Sequence, residues 1–139
     1  MSAPILIVED DPDDLEFTLH SVRHCGYEGE IVIARTGMEA LDYLFSQNPY
    51  LGKKRKAPAL ALLDLKLPGI DGIEIAKRMK STPRLVSTPI TILSGSFLDA
   101  DLRRAKVLGI NSYVVKPMDL SELRKAICEI LQANNLVPG

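Results

Sequence analysis

The chain has 139 residues with 17 basic and 18 acidic side chains, which gives a formal net charge of -1. Apolar residues make up 46% and charged residues 25%, as in an ordinary globular domain, and the length fits one domain. The balanced charge argues against a nucleic-acid partner, whose binding needs a basic face. No apolar run approaches the ~18 residues of a membrane span. We therefore expect a single domain over residues 1–139 with neither a nucleic acid nor a membrane as partner.

The two cysteines, Cys25 and Cys128, are far apart in the sequence and form no Cys-x-x-Cys pair. We expect both to be buried as small hydrophobic side chains rather than joined in a disulfide. The first apolar run, Ile5–Val8, is too short for a signal-peptide core and is followed directly by acids. These features predict a cytoplasmic protein.

Short apolar runs alternate five times with segments of helical periodicity. The predicted strands are Ile5–Val8, Ile31–Ala34, Ala59–Leu63, Ile90–Leu93 and Ser112–Val115. Four of them are almost continuously apolar, which is typical of parallel strands covered by helices on both faces. The pattern predicts an α/β fold of the doubly wound (βα)5 type with right-handed crossovers. Ligands of such folds bind beyond the carboxyl ends of the strands.

Helix signals lie between these runs. Thr36 with Glu39, and Asp119 with Glu122, have the spacing of a capping box. A third helix is predicted over about Asp71–Lys80. The last helix carries a one-sided apolar stripe of Leu120, Leu123, Ile127, Ile130 and Leu131. The stretch 46–57 is long for a connection to a strand, and its basic run, residues 53–56, is most simply a solvated loop whose role stays open.

Residues 1–16 contain six acids and no base: Glu9, Asp10, Asp11, Asp13, Asp14 and Glu16. Asp11 followed by proline has the form of an N-cap before the first helical position. The three acids after Pro12 suit the first turns of a helix, where the dipole favours negative charge. We therefore assign four acids to a helix start, which leaves Glu9 and Asp10 at the end of the first strand, facing the crevice.

Asp64 follows the third predicted strand, which should be central and adjacent to the first. It should therefore lie close to Glu9 and Asp10. Two carboxylates about 4 Å apart repel by about 4 kcal/mol at an effective dielectric constant of 20, so three of them need a cation or raised pKa values. A few hard oxygen ligands with positions left open for water or phosphate suit Mg²⁺.

Ser94 follows the fourth predicted strand and Lys116 the fifth, so a hydroxyl and an ammonium reach the same edge of the sheet. Each alone would most simply be a solvated loop residue. Together with the acids they could hold a metal, an acceptor oxygen and the two donors that a phosphoryl group requires.

These motifs resemble the receiver domain of two-component response regulators over the whole chain. The resemblance rests on the runs ILIVEDD (5–11), LDLKLPGIDG (63–72), SG (94–95) and YVVKP (113–117). It implies a flavodoxin-like fold whose five-stranded parallel sheet has the order 2-1-3-4-5. It also implies that Asp64 accepts a phosphoryl group from a phosphohistidine of a sensor histidine kinase or phosphotransfer protein.

The resemblance further implies a role for each of the other residues. Mg²⁺ would be held by Glu9, Asp10, Asp64 and the backbone carbonyl of Lys66. Ser94 would donate a hydrogen bond to the phosphate and Lys116 would pair with it, while Tyr113 would rotate inward on activation. The bond between Lys116 and Pro117 resembles the family's cis peptide. Lys66 and Ser96, two residues after Asp64 and Ser94, flank positions that tune phosphate lifetime in the family, and that lifetime stays open here.

The resemblance implies a switch rather than a turnover enzyme, with no output domain. The signal would pass to an unknown downstream protein or onward as phosphate. A homodimer would form through the face of helix 4, strand 5 and helix 5, where we expect Arg103, Arg104 and Lys106. A phosphatase of the haloacid-dehalogenase type would need a second carboxylate two residues after Asp64, where Lys66 stands. A receiver-like protein that works without phosphate is the third alternative, and the complete set of site residues argues against it.

Overall fold

A computed structural model describes residues 3–45, 57–95, 99–110, 112–116 and 119–138. The strands are β1 (Ile5–Val8), β2 (Ile31–Ala34), β3 (Leu60–Asp64), β4 (Ile90–Ser94) and β5 (Ser112–Val115). The helices are α1 (Pro12–His24), α2 (Gly37–Phe45), α3 (Gly72–Lys80), α4 (Asp99–Val107) and α5 (Leu120–Ala133). The strands pair in parallel in the order β2-β1-β3-β4-β5, which confirms the predicted doubly wound flavodoxin-like sheet.

β3 begins at Leu60 rather than at the predicted Ala59, and β3 and β4 each end one residue later than predicted. Asp64 is the last residue of β3 and Ser94 is the last residue of β4, whereas both were expected to follow their strands. Some of the predictions concern residues outside those that the structure describes. These residues are 46–56, which include the basic run, together with Ser96 and with Pro117, on which the cis-peptide prediction rests. Among the described helices, none has the length and apolar content that a bilayer crossing requires.

The helices cover both faces of the sheet, and the alternation of side chains along each strand divides the core in two. The first core cluster lies under α2, α3 and α4 and includes Leu6, Val8, Ala61, Leu63 and Ile92. The second core cluster lies under α1 and α5 and includes Ile5, Ile7, Leu60, Leu62 and Leu93. Every residue of β1 and β3 is buried, as the continuous apolar runs predict.

Helix capping fixes where the chain enters each helix. The carboxylate of Asp11 accepts hydrogen bonds from the backbone N–H groups of Asp13 and Asp14 at 2.9 and 3.0 Å, which confirms the predicted N-cap of α1. Thr36 Oγ1 accepts from the N–H of Glu39 at 3.0 Å in the same way. The apolar stripe predicted for α5 was wrong at one position. Leu120, in the first turn, is 57% exposed, whereas the next three turns pack on the sheet.

The expectation of two free cysteines was wrong. Cys25, the C-cap of α1, and Cys128 on α5 form a disulfide, with their Cα atoms 5.3 Å apart. Their sequence separation of 103 residues concealed this pairing. The two helices pack side by side on one face of the sheet, so distance along the chain did not limit the approach of the two side chains.

The expected position of the basic residues of α4 was also wrong in part. Arg104 Nη2 lies 2.9 Å from Asp71 Oδ2, at the start of α3, and its Nη1 lies 3.5 Å from Asp101 Oδ1. Arg103 lines a groove between α3 and α4. Both arginines therefore face α3 rather than the face formed by α4, β5 and α5, because acidic N-cap Asp71 draws Arg104 to that side.

Gly72→Ala is expected to destabilise the protein by about 1–3 kcal/mol, because a β-carbon there would overlap the backbone carbonyl of Asp64. The N–H of Gly72 also donates to the carbonyl of Leu65 at 2.9 Å, which holds α3 against the end of β3. Urea unfolding measures the change. Gly95→Ala is the matched control, since a β-carbon there meets nothing within 4 Å. Equal loss of stability in the two variants would contradict the close approach.

Candidate functional site

Polar side chains gather where the carboxyl ends of β1, β3, β4 and β5 meet. Strand register pairs Val8 with Leu63, so the residue after β1 lies beside the last residue of β3. The N–H of Lys116 donates to the carbonyl of Ser94 at 2.6 Å. A cavity of about 470 Å³ at this edge is lined by Glu9, Asp10, Asp11, Asp14, Asp64, Lys66, Ser94, Gly95 and Lys116. The structure thus brings together all the predicted site residues except Tyr113.

Glu9, Asp10 and Asp64 form an acidic cluster, with one carboxylate oxygen from each within 4.8 Å of the others. Glu9 is 3% exposed and Asp64 is 8% exposed, while Asp10 is open to solvent. Two of the three carboxylates have therefore lost most of their water while facing like charges. Such a set needs a cation or a proton. The donor set, all oxygen with one exposed member, fits Mg²⁺, which keeps several waters when it binds.

Lys116 supplies positive charge to this cluster. Its Nζ donates to Glu9 Oε1 at 2.8 Å and to Asp14 Oδ2 at 3.0 Å, and it lies 3.7 Å from Asp64 Oδ1. Burial lowers the pKa of Lys116, but the hydrogen bonds and the surrounding negative charges outweigh it and hold that pKa above its ordinary value. Lys116 therefore stays charged across the physiological pH range.

Burial raises the pKa of Asp64 to about 7. The charge of Lys116 opposes this shift, whereas the charge and hydrogen bond of Glu9 and the charge of Asp10 add to it. At neutral pH and without a metal, Asp64 therefore holds a proton for much of the time. A bound cation would favour the ionised form.

Asp64→Asn is expected to raise the free energy of unfolding of the metal-free protein at pH 8 by about 1–3 kcal/mol. Asp64 has a pKa of about 7 in the folded state and an ordinary value near 3.8 in the unfolded chain. Its contribution to stability is therefore greatest at low pH and falls as the pH rises toward about 7. Urea unfolding in EDTA should show a smaller gain at pH 5 than at pH 8. An equal gain at both pH values would contradict the electrostatic origin.

Asp14 has a role that sequence reasoning missed. It was assigned only to the helix start, yet its carboxylate binds Lys116 across the cavity. Asp14 lies one helical turn after the N-cap Asp11, and this places it beside the carboxyl ends of the strands. The i to i+3 spacing of these two acids was the available signal, because it puts both on one side of the helix.

The remaining predicted residues occupy different depths. Ser94 is 1% exposed, while Lys66 is exposed at the rim of the cavity. Tyr113 lies on β5, partly buried against the first core cluster. Its hydroxyl oxygen is buried and has no hydrogen-bond partner within the described part of the chain. A buried hydroxyl without a hydrogen-bond partner lowers the stability of the fold, so a side-chain position that gave the hydroxyl a partner would be favoured.

Comparison with known proteins adds to this geometry. The family model described as "Response regulator receiver domain" matches residues 5–128. Sporulation initiation phosphotransferase F of Bacillus subtilis is 36% identical over 132 residues, which cover 94% of this chain and 95% of that protein.

Two solved structures are similar over nearly the whole chain. The phosphorylated cyanobacterial phytochrome response regulator RcpA superposes with a TM-score of 0.84 at 33% identity, covering 95% of this chain and 93% of that one. The Mn²⁺-bound form of response regulator Rcp1 superposes with a TM-score of 0.83 at 31% identity, covering 94% and 93%.

Proposed function

This chain belongs to the response regulator receiver domain family, and we propose that Asp64 accepts a phosphoryl group from a phosphohistidine of a sensor histidine kinase or phosphotransfer protein. Receiver domains are signalling proteins that interact with such partners. One observation carries the proposal: the buried carboxylate of Asp64 shares a single cavity with Lys116, Ser94 and the clustered carboxylates of Glu9 and Asp10. The phosphorylated form of the similar RcpA supports it.

In the proposed step, a carboxylate oxygen of Asp64 forms a bond to phosphorus while the bond from phosphorus to the imidazole nitrogen breaks. The electron pair of that bond leaves with the imidazole, which then takes up a proton from water. Phosphoryl transfer of this kind depends on positioning and charge stabilisation more than on covalent help from the protein. The strand end that carries Asp64 is held by the close contact with Gly72 described above.

Two donors from neighbouring strands would stabilise the transferred group. Lys116 Nζ lies 3.7 Å from Asp64 Oδ1, so a turn away from Asp14 would bring it to a phosphoryl oxygen. The Ser94 hydroxyl, at the end of the adjacent strand, would donate to a second oxygen. Preorganised donors such as these stabilise charge that develops in the transition state.

Glu9, Asp10, Asp64 and the backbone carbonyl of Lys66 would hold Mg²⁺. The 4.8 Å acidic cluster and the Mn²⁺-bound form of Rcp1 support this assignment. When bound, Mg²⁺ supplies positive charge that offsets the phosphoryl oxygens and favours the ionised form of Asp64.

Mg²⁺ is expected to raise the thermal unfolding midpoint, since a ligand at 100 times its Kd stabilises the folded state by about 2.7 kcal/mol. Asp10→Asn should weaken Mg²⁺ binding by roughly tenfold or more, because it removes a charged ligand. Asp13→Asn is the matched control, since Asp13 is exposed on α1 and does not line the cavity. A titration with Mg²⁺ followed by thermal unfolding measures both. Equal weakening in the two variants would contradict the proposed ligand set.

Phosphorylation would then act as a switch. It adds a charge of about -1.5 to -2, which would draw the Ser94 hydroxyl toward the phosphate and pull on the chain that follows β4. Space opened there would let the Tyr113 side chain turn farther inward, to a position where its buried hydroxyl gains a hydrogen-bond partner. The face of α4, β5 and α5 would change shape and bind a downstream protein or a second copy of this chain.

The domain would catalyse its own phosphorylation and dephosphorylation, and it would act as a signalling switch rather than as a turnover enzyme. We also propose a cytoplasmic location. It is supported by the membership of this chain in a family of signalling domains.

Incubation of the protein with acetyl phosphate and MgCl₂ tests the proposal. Intact-mass measurement should show the addition of one phosphoryl group, which hydroxylamine should remove as expected for an acyl phosphate. Borohydride reduction and peptide mapping should then place the label on Asp64. Uptake of no phosphate, or a label on any other residue, would overturn the proposed function.

A further inference from the structure

The disulfide between Cys25 and Cys128 joins the two helices that lie on either side of Lys116 in the fold. Both cysteines are partly exposed, and Cys25 packs against the second core cluster. The bond connects the C-terminal end of α1 to the second half of α5. The disulfide therefore connects α1, which begins at the site, to α5, the last helix of the fold.

The same pair of helices is also joined at the site itself. Lys116 Nζ binds Asp14 Oδ2 at the start of α1, and Lys116 lies just before the segment that leads into α5. Between the two connections lies a groove of about 480 Å³, where the guanidinium of Arg124 lies over the ring of Phe17 at 5.9 Å from its centroid. The ion-paired Lys116 and Asp14 both line this groove, and the disulfide joins the same two helices farther along their length.

We propose that Cys25 and Cys128 form a reversible redox site whose oxidation clamps α5 to α1 and whose reduction frees α5 within an intact fold. The oxidant is a low-molecular-weight disulfide of the glutathione class, and the reductant is the corresponding thiol, two molecules of which reverse the exchange. One cysteine thiolate attacks the oxidant and releases one thiol, and the second cysteine then attacks the mixed disulfide and releases another. Two electrons pass from the two cysteines to the oxidant, and their two protons end on the released thiols.

Partial exposure of both cysteines gives a small disulfide access to them. Reduction should leave the fold intact, because α1 and α5 remain packed through buried apolar residues that do not involve sulfur: Leu15, Val22, Leu123, Ile127 and Leu131. Cytosolic disulfides are generally transient or redox-sensing. A reversible bond is therefore the form that suits the cytoplasmic location proposed above.

The first experiment equilibrates the native protein with defined mixtures of reduced and oxidised glutathione, quenches with acid and alkylates the free thiols. Intact mass should show molecules with either no or two alkylated cysteines, interconverted by the glutathione ratio. The proposal fails if both thiols persist in excess oxidised glutathione. It also fails if the bond persists in the native protein under excess dithiothreitol.

The second experiment measures hydrogen exchange in the oxidised protein, the reduced protein and the double variant Cys25→Ser/Cys128→Ser. Peptides of α5 should exchange about tenfold faster in the reduced protein and in the double variant than in the oxidised protein, whereas the exchange rates of β3 and α3 should be equal in all three. The unfolding midpoint should fall by about 5–15 °C on reduction. Equal exchange of α5 in all three forms would overturn the clamp. Neither experiment requires phosphorylation, so the redox site and the proposed function can fail separately.

Discussion

Asp64→Asn is expected to reduce the rate of phosphorylation by acetyl phosphate by at least about 1,000-fold, below detection in most assays. The amide that replaces the carboxylate is a poor nucleophile, and it removes one of the charged oxygens of the acidic cluster. Asp10 cannot replace it, because it is exposed at the mouth of the cavity rather than buried beside Ser94 and Lys116. The measurement is the time course of mass gain in acetyl phosphate and MgCl₂.

Asp13→Asn is the control for this experiment, since it removes an exposed acid of α1 and should keep the wild-type rate. A loss of folding cannot explain the expected result, because Asp64→Asn should make the metal-free protein more stable. Phosphate uptake by Asp64→Asn at a rate comparable with the control would show that another group is the acceptor.

Most of the fold could be predicted because strands that are buried on both faces of a parallel sheet appear in the sequence as short, continuous apolar runs. The two errors in strand ends have one cause. Asp64 pairs with Leu93, and Ser94 pairs with Val115, although both are polar. The predicted strands ended where apolar residues ended, whereas the ladder of backbone hydrogen bonds continues for one more residue. That extra residue fixes the backbone of the acceptor and of its neighbour on β4.

The chemistry of the site could also be predicted, but its pairings could not. Residue type and position at a strand end indicated that Glu9, Asp64 and Lys116 would share an edge. The acids that Lys116 contacts depend on the position of α1 relative to that edge. Packing of α1 and α5 on the sheet sets this position. The disulfide was missed for the same reason, because the contact of Cys25 with Cys128 exists only once both helices have docked on one face.

Lys116→Ala is expected to reduce the rate of phosphorylation by about 100- to 1,000-fold, because it removes the charged donor whose Nζ lies 3.7 Å from Asp64 Oδ1. It should also lower the free energy of unfolding in EDTA by about 2–4 kcal/mol, since buried Glu9 loses its partner. Stopped-flow phosphorylation and urea unfolding measure the two effects. MgCl₂ should restore most of the stability, because a cation then offsets the same carboxylates.

Lys116→Arg keeps the charge and serves as the matched variant. It should retain most of the stability but phosphorylate more slowly than the wild type, because a planar guanidinium cannot place its charge where the compact ammonium does. A wild-type rate in Lys116→Ala would contradict the role of Lys116 in transfer. Asp64→Asn should stabilise the metal-free protein and Lys116→Ala should destabilise it, although both should lose phosphorylation. Opposite effects on stability, together with a loss of phosphorylation in both variants, are the result expected if one electrostatic cluster governs both properties.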